Sequence, residues 1–411
     1  MRGHLHYFLS HPQFAEYVLS TNQDNYRKHP LFVANFKPFL GTNNLLSSND
    51  TPQWQRDRNL ARTAFEADLF FENYTDKMTK NCATMLDAWL QRMQKGPEIP
   101  TGFEMDKLAL KNINDTLFHG LEIDIESAVK HIPEVFKLIT KKATSLSQLP
   151  WRLPTKRKRA FDQEVEFIQN VMRTAIFSRW KTGKDYDDLL GTLLHAYDVK
   201  DEKSPHFTST GHQMMTFNVV GYTTTTSALR WILTMLVQYP ETEKKVAAEV
   251  SKVCNGNRPT YAHFDQLKYT QAFVMEVLRL YPPLVFILRE SIAKDDLLGY
   301  PVAPKTCILI NSFAIHRHRD FWENAEQFHP DRFLDKPYGQ ENPFAYLPFG
   351  AGKRSCIGRN FAFLELCLIT AMIVQRFRLS LPQDFQLKMK YVGSVFIRPN
   401  VETMFIEAKR D

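Results

Sequence analysis

Residues Phe349-Gly350-Ala351-Gly352-Lys353-Arg354-Ser355-Cys356-Ile357-Gly358 set one cysteine in a glycine-punctuated loop, and an apolar, helix-like stretch over 360–377 follows at once. This arrangement can offer a single thiolate to a metal. A free thiol is mostly protonated at neutral pH, and its pKa falls at a helix N-terminus, beside a cation or on a metal. Cys356 has candidates for all three. Gly350, Gly352 and Gly358 carry no Cβ, so the backbone can turn tightly and approach a flat ligand. The amides that open the next helix can point at the sulfur. Phe349 would cover the sulfur, and Arg354 presents a planar fork of donors that suits a carboxylate. The plain alternative is a buried structural cysteine, which is what most lone cysteines are.

Two more groups stand out. Glu276-Val277-Leu278-Arg279 precedes Pro282-Pro283, and residues at i and i+3 share a helix face, so Glu276 and Arg279 can pair with each other or jointly with a third group. Exposed pairs of this kind contribute little, but here the surrounding helix is apolar. Val220-Gly221-Tyr222-Thr223-Thr224-Thr225-Thr226-Ser227 lies inside a long helical stretch although its threonines are poor helix formers. The hydroxyls either mark a functional distortion or bond back to carbonyls one turn earlier. Back-bonding is expected of Thr225 and Thr226. The proline-bounded segment 149–159 ends in Lys156-Arg157-Lys158-Arg159 at a helix start, where the macrodipole disfavours cations. That run is either solvated or faces an anionic neighbour.

The elements that must position these residues are mostly helical. Period-3.6 patterns cover 12–20, 54–69, 78–93, 164–180, 189–197, 214–239, 242–254 and 271–281, while strand-like runs cover only 4–9, 307–312, 392–397 and 403–408. The 411 residues, 44% hydrophobic and 24% charged, have an ordinary globular balance. No uninterrupted apolar run reaches the roughly 18 residues of a membrane span. Cys82, Cys254, Cys307, Cys356 and Cys367 are scattered and odd in number, which points to a reducing compartment, most simply the cytoplasm. A net charge of +7 could serve nucleic acid, an anionic membrane surface or an acidic protein, and the absence of any nucleic-acid-binding motif counts against the first. With no repeat and no long linker, residues 1–411 read as a single domain, mainly α with small β-sheets.

The cysteine loop resembles the haem-binding loop of the cytochrome P450 superfamily, and the resemblance covers nearly the whole chain. It implies the cytochrome P450 fold and haem b (iron protoporphyrin IX), with Cys356 as the axial iron ligand. Trp54, Arg58, Arg289, Phe349, Arg354 and Gly358 would complete the cofactor site, with the arginines on the propionates. Glu276 and Arg279 would join Arg332, of Phe328-His329-Pro330-Asp331-Arg332, in a buried structural network. Thr224 matches the family's proton-delivering threonine, and Thr223 stands where the family has an acid. Substrate-contact positions fall on Val220, Leu284, Val285, Phe286, Ser394, Val395 and Phe396, each of which could equally be core; none is charged. The segment 149–159 matches the family's lid.

The activity implied is that of a haem-thiolate monooxygenase: one oxygen atom of O2 enters a hydrophobic small molecule such as a fatty acid, a terpenoid or another lipid-like substrate, and the other leaves as water. The pattern is most similar to fatty-acid hydroxylases and their bacterial relatives. Electrons would come from a separate ferredoxin, flavodoxin or flavin reductase, steered by Lys353 and Arg359. Thr223 keeps open a peroxygenase or lipid-hydroperoxide isomerase. The chain begins at what resembles the family's second strand, lacking the first strand and helix, which keeps open a haem-binding remnant without turnover. Peripheral membrane contact is also left open.

Overall fold

The computed structural model describes residues 6–65, 68–143, 155–184, 186–199, 201, 203–335, 342–392 and 396–409. Its principal helices are α1 (Pro30–Leu40), α2 (Pro52–Arg62), α3 (Asp68–Met93), α4 (Thr101–Leu117), α5 (Ile125–Ala143), α6 (Lys156–Lys181), α7 (Pro205–Gln238), α8 (Pro240–Cys254), α9 (Lys268–Leu280) and α10 (Arg359–Arg376). Several begin where a capping side chain meets a proline, whose missing N–H costs nothing at that position. Thr51 accepts from the Trp54 amide at 3.1 Å ahead of Pro52, and Ser204 accepts from the Phe207 amide at 3.1 Å ahead of Pro205. Among the described residues no helix is long and apolar enough to cross a membrane.

The long helix α7 runs through the middle, buried on nearly every side from Gln213 to Leu236, and packs on α4, α6, α8, α9 and α10. The segment α10, which follows the cysteine loop, packs in turn on α3, α8 and α9. Two large apolar clusters flank this centre: Phe39, Phe118, Phe136 and Tyr222 in one, Trp89, Trp231, Phe273 and Phe377 in the other.

The main sheet contains β1 (His6–Leu9), β2 (Tyr26–Lys28), β3 (Phe286–Ser291) and β4 (Cys307–Asn311), in the order β1-β4-β3-β2. Only the β1–β4 pairing is parallel. A hairpin of β5 (Met389–Val392) and β6 (Phe396–Pro399) packs β6 against α7. A third sheet sets Met404–Ala408 between Glu98–Ile99 and Phe377–Ser380.

Several boundaries differ from the sequence reading. The pattern over 54–69 breaks at Arg62, and the helix expected over 78–93 begins at Asp68. The stretch 360–377 stops one residue early because Phe377 opens a strand. Helices α1, α4 and α5 were not expected: Pro38 and Pro133 sit inside α1 and α5, and buried Asp106, Asn112 and Asn114 interrupt the apolar period of α4. Of the lid segment, 149–154 lies outside the described residues. Thr155 caps α6, and Lys158 pairs with Asp162 one turn on.

One buried carboxyl is unusual. Glu365 of α10 is fully buried, accepts from Asn112 Nδ2 at 2.8 Å, and leaves Oε2 without a partner. Burial pushes its pKa up to about 8. The folded chain therefore holds a proton that the unfolded chain releases, so stability present below about pH 4.5 is lost as pH rises through about 8. Glu365→Gln should remove that slope: its thermal midpoint should exceed the parent's by more at about pH 8 than at about pH 5. Equal differences at both pH values would mean that the carboxyl ionises freely in the fold.

Candidate active site

The cysteine loop is closed by backbone bonds: the Cys356 amide donates to the Phe349 carbonyl at 2.8 Å, and the Ser355 amide to Gly352 at 3.0 Å. Gly350 and Gly352 have φ of 67° and 69°, the left-handed region that glycine enters without strain. A Cβ at Gly352 would also overlap the Leu19 carbonyl. Gly358 caps α10, and its amide bonds to the Cys356 sulfur. Behind it Phe65 packs on Phe361 of α10 and stacks on Phe217 of α7, with ring centres 6.0 and 5.9 Å apart, which brings the loop and the long helix together.

Cys356 is exposed, yet protein closes round it, as for a group lining an interior space. The expected fall in its pKa is not what the protein alone produces. Burial pushes the thiol up and outweighs the Gly358 amide, Arg359 and Arg58, which pull it down. In these surroundings a thiolate needs a cation bound at the sulfur.

Beside the sulfur stands a cationic wall. Arg354 stacks on Trp54 with its guanidinium carbon 4.1 Å from the ring centre, ion-pairs with Asp50, donates to the Ser48 carbonyl at 2.6 Å, and keeps Nη1 buried without a partner. Arg58 donates to the Ser355 carbonyl at 2.7 Å. Trp54 spends its indole N–H on the Leu45 carbonyl at 3.0 Å, so it offers its ring face instead. Arg289 is buried on β3, and burial together with Arg354 brings its pKa down to about 10. Lys28 is lowered as well, by burial and then by Arg289, Arg354 and Arg58. Lys353 ion-pairs with Asp24 and Asp50 at 2.6 Å each, which weakens the case for it as a docking charge; Arg359 stays exposed.

The Glu276–Arg279 pair is buried completely. Arg279 donates to both carboxylate oxygens, Nε at 2.6 Å and Nη2 at 2.8 Å, while Arg332 Nε donates to Glu276 Oε1 at 3.2 Å and the His329 amide donates to the same oxygen at 2.8 Å. His316 extends the cluster toward the loop. Its Nδ1–H donates to the Arg279 carbonyl at 3.0 Å, and its Nε2 accepts from the Leu347 amide at 2.6 Å, which fixes the neutral tautomer.

On α7, Val220, Gly221 and Thr224 are partly exposed amid buried neighbours, and Thr223 is buried. The back-bonding pattern differs from expectation. Thr223 and Thr224 donate to Val219 and Val220 carbonyls at 2.6 and 3.0 Å, whereas the Thr226 hydroxyl is buried without a partner. Leu284 and Phe286 are partly exposed, but Val285 between them is buried, as alternation along an extended chain requires. Phe396 is buried against Phe136, with ring centres 5.6 Å apart. Ser394 and Val395 lie outside the described residues. Sequence reasoning missed Lys28, Asp50 and His316; only the short Tyr-Arg-Lys run hinted at a strand carrying Lys28.

The sequence pattern of the cytochrome P450 family matches residues 1–406, and the chain belongs to that family. It is a haem-thiolate monooxygenase, an oxidoreductase that uses haem iron, a redox partner and hydrophobic substrates. Similar proteins include cyclooctat-9-en-7-ol 5-monooxygenase of Streptomyces melanosporofaciens, 30% identical over 375 residues (91% of this chain, 80% of that protein). Cytokinin hydroxylase of Arabidopsis thaliana is 28% identical over 382 residues (88% and 73%), and the human ultra-long-chain fatty acid omega-hydroxylase is 28% identical over 407 (93% and 76%). The residues present fit a haem: a thiol open to an enclosed space, and arginines in excess over Asp50 with one guanidinium nitrogen unpartnered.

Burial pushes the His316 pKa down to about 3. Unfolded chains take up this proton first, so stability is lost as pH falls from about 6.5 toward 3. Gln can supply the same donor and acceptor without titrating. His316→Gln should therefore flatten the decline of the thermal midpoint between about pH 6.5 and pH 4. An unchanged decline would place the acid sensitivity in other groups.

Proposed function

We propose that Cys356 is the axial thiolate of a haem b and that the enzyme oxygenates a hydrophobic molecule of terpenoid or fatty-acid type, with electrons from a separate ferredoxin, flavodoxin or flavin reductase. The observation that carries this reading is the Cys356 sulfur, open to an enclosed space at the head of α10 beside the cationic wall. Arg354 through its unpartnered Nη1, Arg289 and Arg58 face the propionates, Trp54 keeps Arg354 flat, and Phe349 covers the sulfur. When bound, the haem supplies oxygen activation and insertion. The chain's own residues position, dry and protonate. Val220, Leu284 and Phe286 line the substrate space, while Val285 and Phe396 pack behind it. The relatives named for oxidising cyclooctat-9-en-7-ol and ultra-long-chain fatty acids support an apolar substrate. Residues 1–411 make one haem-binding domain, and four buried free cysteines, Cys82, Cys254, Cys307 and Cys367, suit a reducing cytoplasm.

Thr224 is the proton-handling residue in this reading, since its hydroxyl is partly exposed and can let go of the Val220 carbonyl to hold water. Thr223 is buried and spends its hydroxyl on Val219, so no acid replaces the family's carboxyl at that position. Thr224→Ala should lower the fraction of reductant that ends in product and raise peroxide release; unchanged coupling would remove Thr224 from proton handling.

The thiolate itself is tested by spectroscopy. Reduced protein under carbon monoxide should show the red-shifted absorption of thiolate-ligated haem, kept by Cys367→Ala and lost by Cys356→Ser. A histidine-type spectrum in folded parent protein sinks the assignment. Absorption shifts on adding fatty acids or diterpenes sort the substrate class, and turnover with a reductase compared with turnover on hydroperoxide separates a monooxygenase from a peroxygenase.

A further inference from the structure

Strands β1 and β4 run parallel, so the chain leaves both at the same end of the main sheet. After β1, His11 opens a short helix, Pro12–Glu16; after β4, a single helical turn, Ser312–Ile315, leads on to His318 and Asp320. The shared exit brings two half-buried imidazoles and an exposed carboxylate together. One ligand atom from each of His11, His318 and Asp320 lies within 4.8 Å of the other two. The two imidazole centres are 5.0 Å apart, and the Phe321 ring packs at 5.3 Å from each, which holds them side by side. Among the described residues Asp320 has no ion-pair partner except His318, 3.9 Å away. A second His-x-Asp pair, His329 and Asp331, stands 4.0 Å apart, and no third ligand joins it among the described residues.

We propose that His11, His318 and Asp320 bind one transition-metal ion of the zinc class, which ties the edge strand β1 to the segment that carries His316 and meets Arg279. Imidazole with carboxylate suits zinc and its neighbours, whereas calcium and magnesium take oxygen ligands. Tetrahedral ligands at about 2.0–2.1 Å from Zn2+ stand roughly 3.4 Å from one another, so the cluster must contract, and exposed Asp320 is free to move in. Water takes the fourth position. Two weak bonds are given up on loading: His11 Nδ1 accepts from the Gln13 amide at 3.2 Å, and His318 Nδ1 from the Asp320 amide at 3.4 Å. A metal on Nδ1 takes the same lone pair, and a metal on Nε2 leaves the proton on Nδ1. Metal–imidazole bonds outweigh both.

The test titrates ZnCl2 by calorimetry into untagged, haem-loaded protein, in which the cofactor covers Cys356 and the other four cysteines are buried. One equivalent should bind saturably, and the thermal midpoint should rise with zinc concentration. His11→Asn keeps a capping side chain, and His318→Phe keeps a ring against Phe321. These two and Asp320→Asn should each weaken zinc binding about tenfold or more, with zinc-free midpoints at the parent's value. Asp320→His should keep the binding, and His329→Ala should leave it untouched. Hydrogen exchange across residues 6–11 should slow on adding zinc in the parent and not in Asp320→Asn. Absence of saturable binding, or parent-like affinity in the three weakened variants, would reduce the trio to packing against Phe321. Saturation by CaCl2 at the same concentration would overturn the choice of metal. Because Asp320 is exposed, Asp320→Asn and Asp320→His decide the question even where a histidine variant folds poorly.

Discussion

The Arg279 guanidinium organises more of this molecule than any other group. Its five N–H donors are all used: Nε and one Nη2 bond on Glu276, Nη1 on the His316 and Ala325 carbonyls, and the remaining Nη2 bond on Gln327. Trp322 lies over it at 5.0 Å. The carbonyls belong to the segment after β4, which has little regular structure of its own and would otherwise lack a reason to hold one path. A buried ion pair is weak evidence of net stability, because desolvation offsets its attraction, but removing one partner costs about 3–5 kcal/mol. That asymmetry suits a residue whose task is to fix geometry. Through His316 the same constraint reaches the Leu347 amide, two residues before Phe349, so the cysteine loop hangs from a network that never touches it directly.

The loop and the wall beside it are each frustrated alone, in opposite senses. Burial keeps the Cys356 sulfur protonated and asks for a cation, while the arginines and Lys28 are crowded beyond what Asp50 neutralises and ask for an anion. A flat ligand with a cationic centre and carboxylates on its rim relieves both at once. The fold therefore reads as complementary to the cofactor in charge, and the strain it carries without one is the electrostatic side of its affinity.

What the sequence revealed follows from range. The cysteine loop and the Glu276–Arg279 pair were legible because glycine conformation and i,i+3 spacing are local, and Arg332 completes the network where the family resemblance put it. The rung that sets Lys28 of β2 opposite Arg289 of β3 was not, because it depends on register between strands 261 residues apart in sequence, and nothing in Tyr26-Arg27-Lys28 announces its partner. His316 failed for a related reason: its two ring nitrogens bond to backbone groups of Arg279 and Leu347, which carry no residue-type signal. Substrate positions read as a contiguous run suffered from alternation, which turns Val285 away from the side on which Leu284 and Phe286 are exposed.

The threonine run is where propensity and packing disagree, and packing decides. Hydroxyls of Thr223 and Thr224 fold back on carbonyls one turn earlier, so these poor helix formers are satisfied within α7 and the helix continues unbroken. A Cβ at Gly221 would meet the terminal methyl of Ile113 on α4, which would have to turn aside to admit it. Tyr222 and Thr226, turned into the core, are left with unpartnered hydroxyls. The partly exposed residues Val220, Gly221 and Thr224 fall at i, i+1 and i+4, a single stripe of the helix. On the proposed reading, Val220 and Thr224 would act from one face, and a substrate filling the space beside Val220 would limit how much water Thr224 can hold.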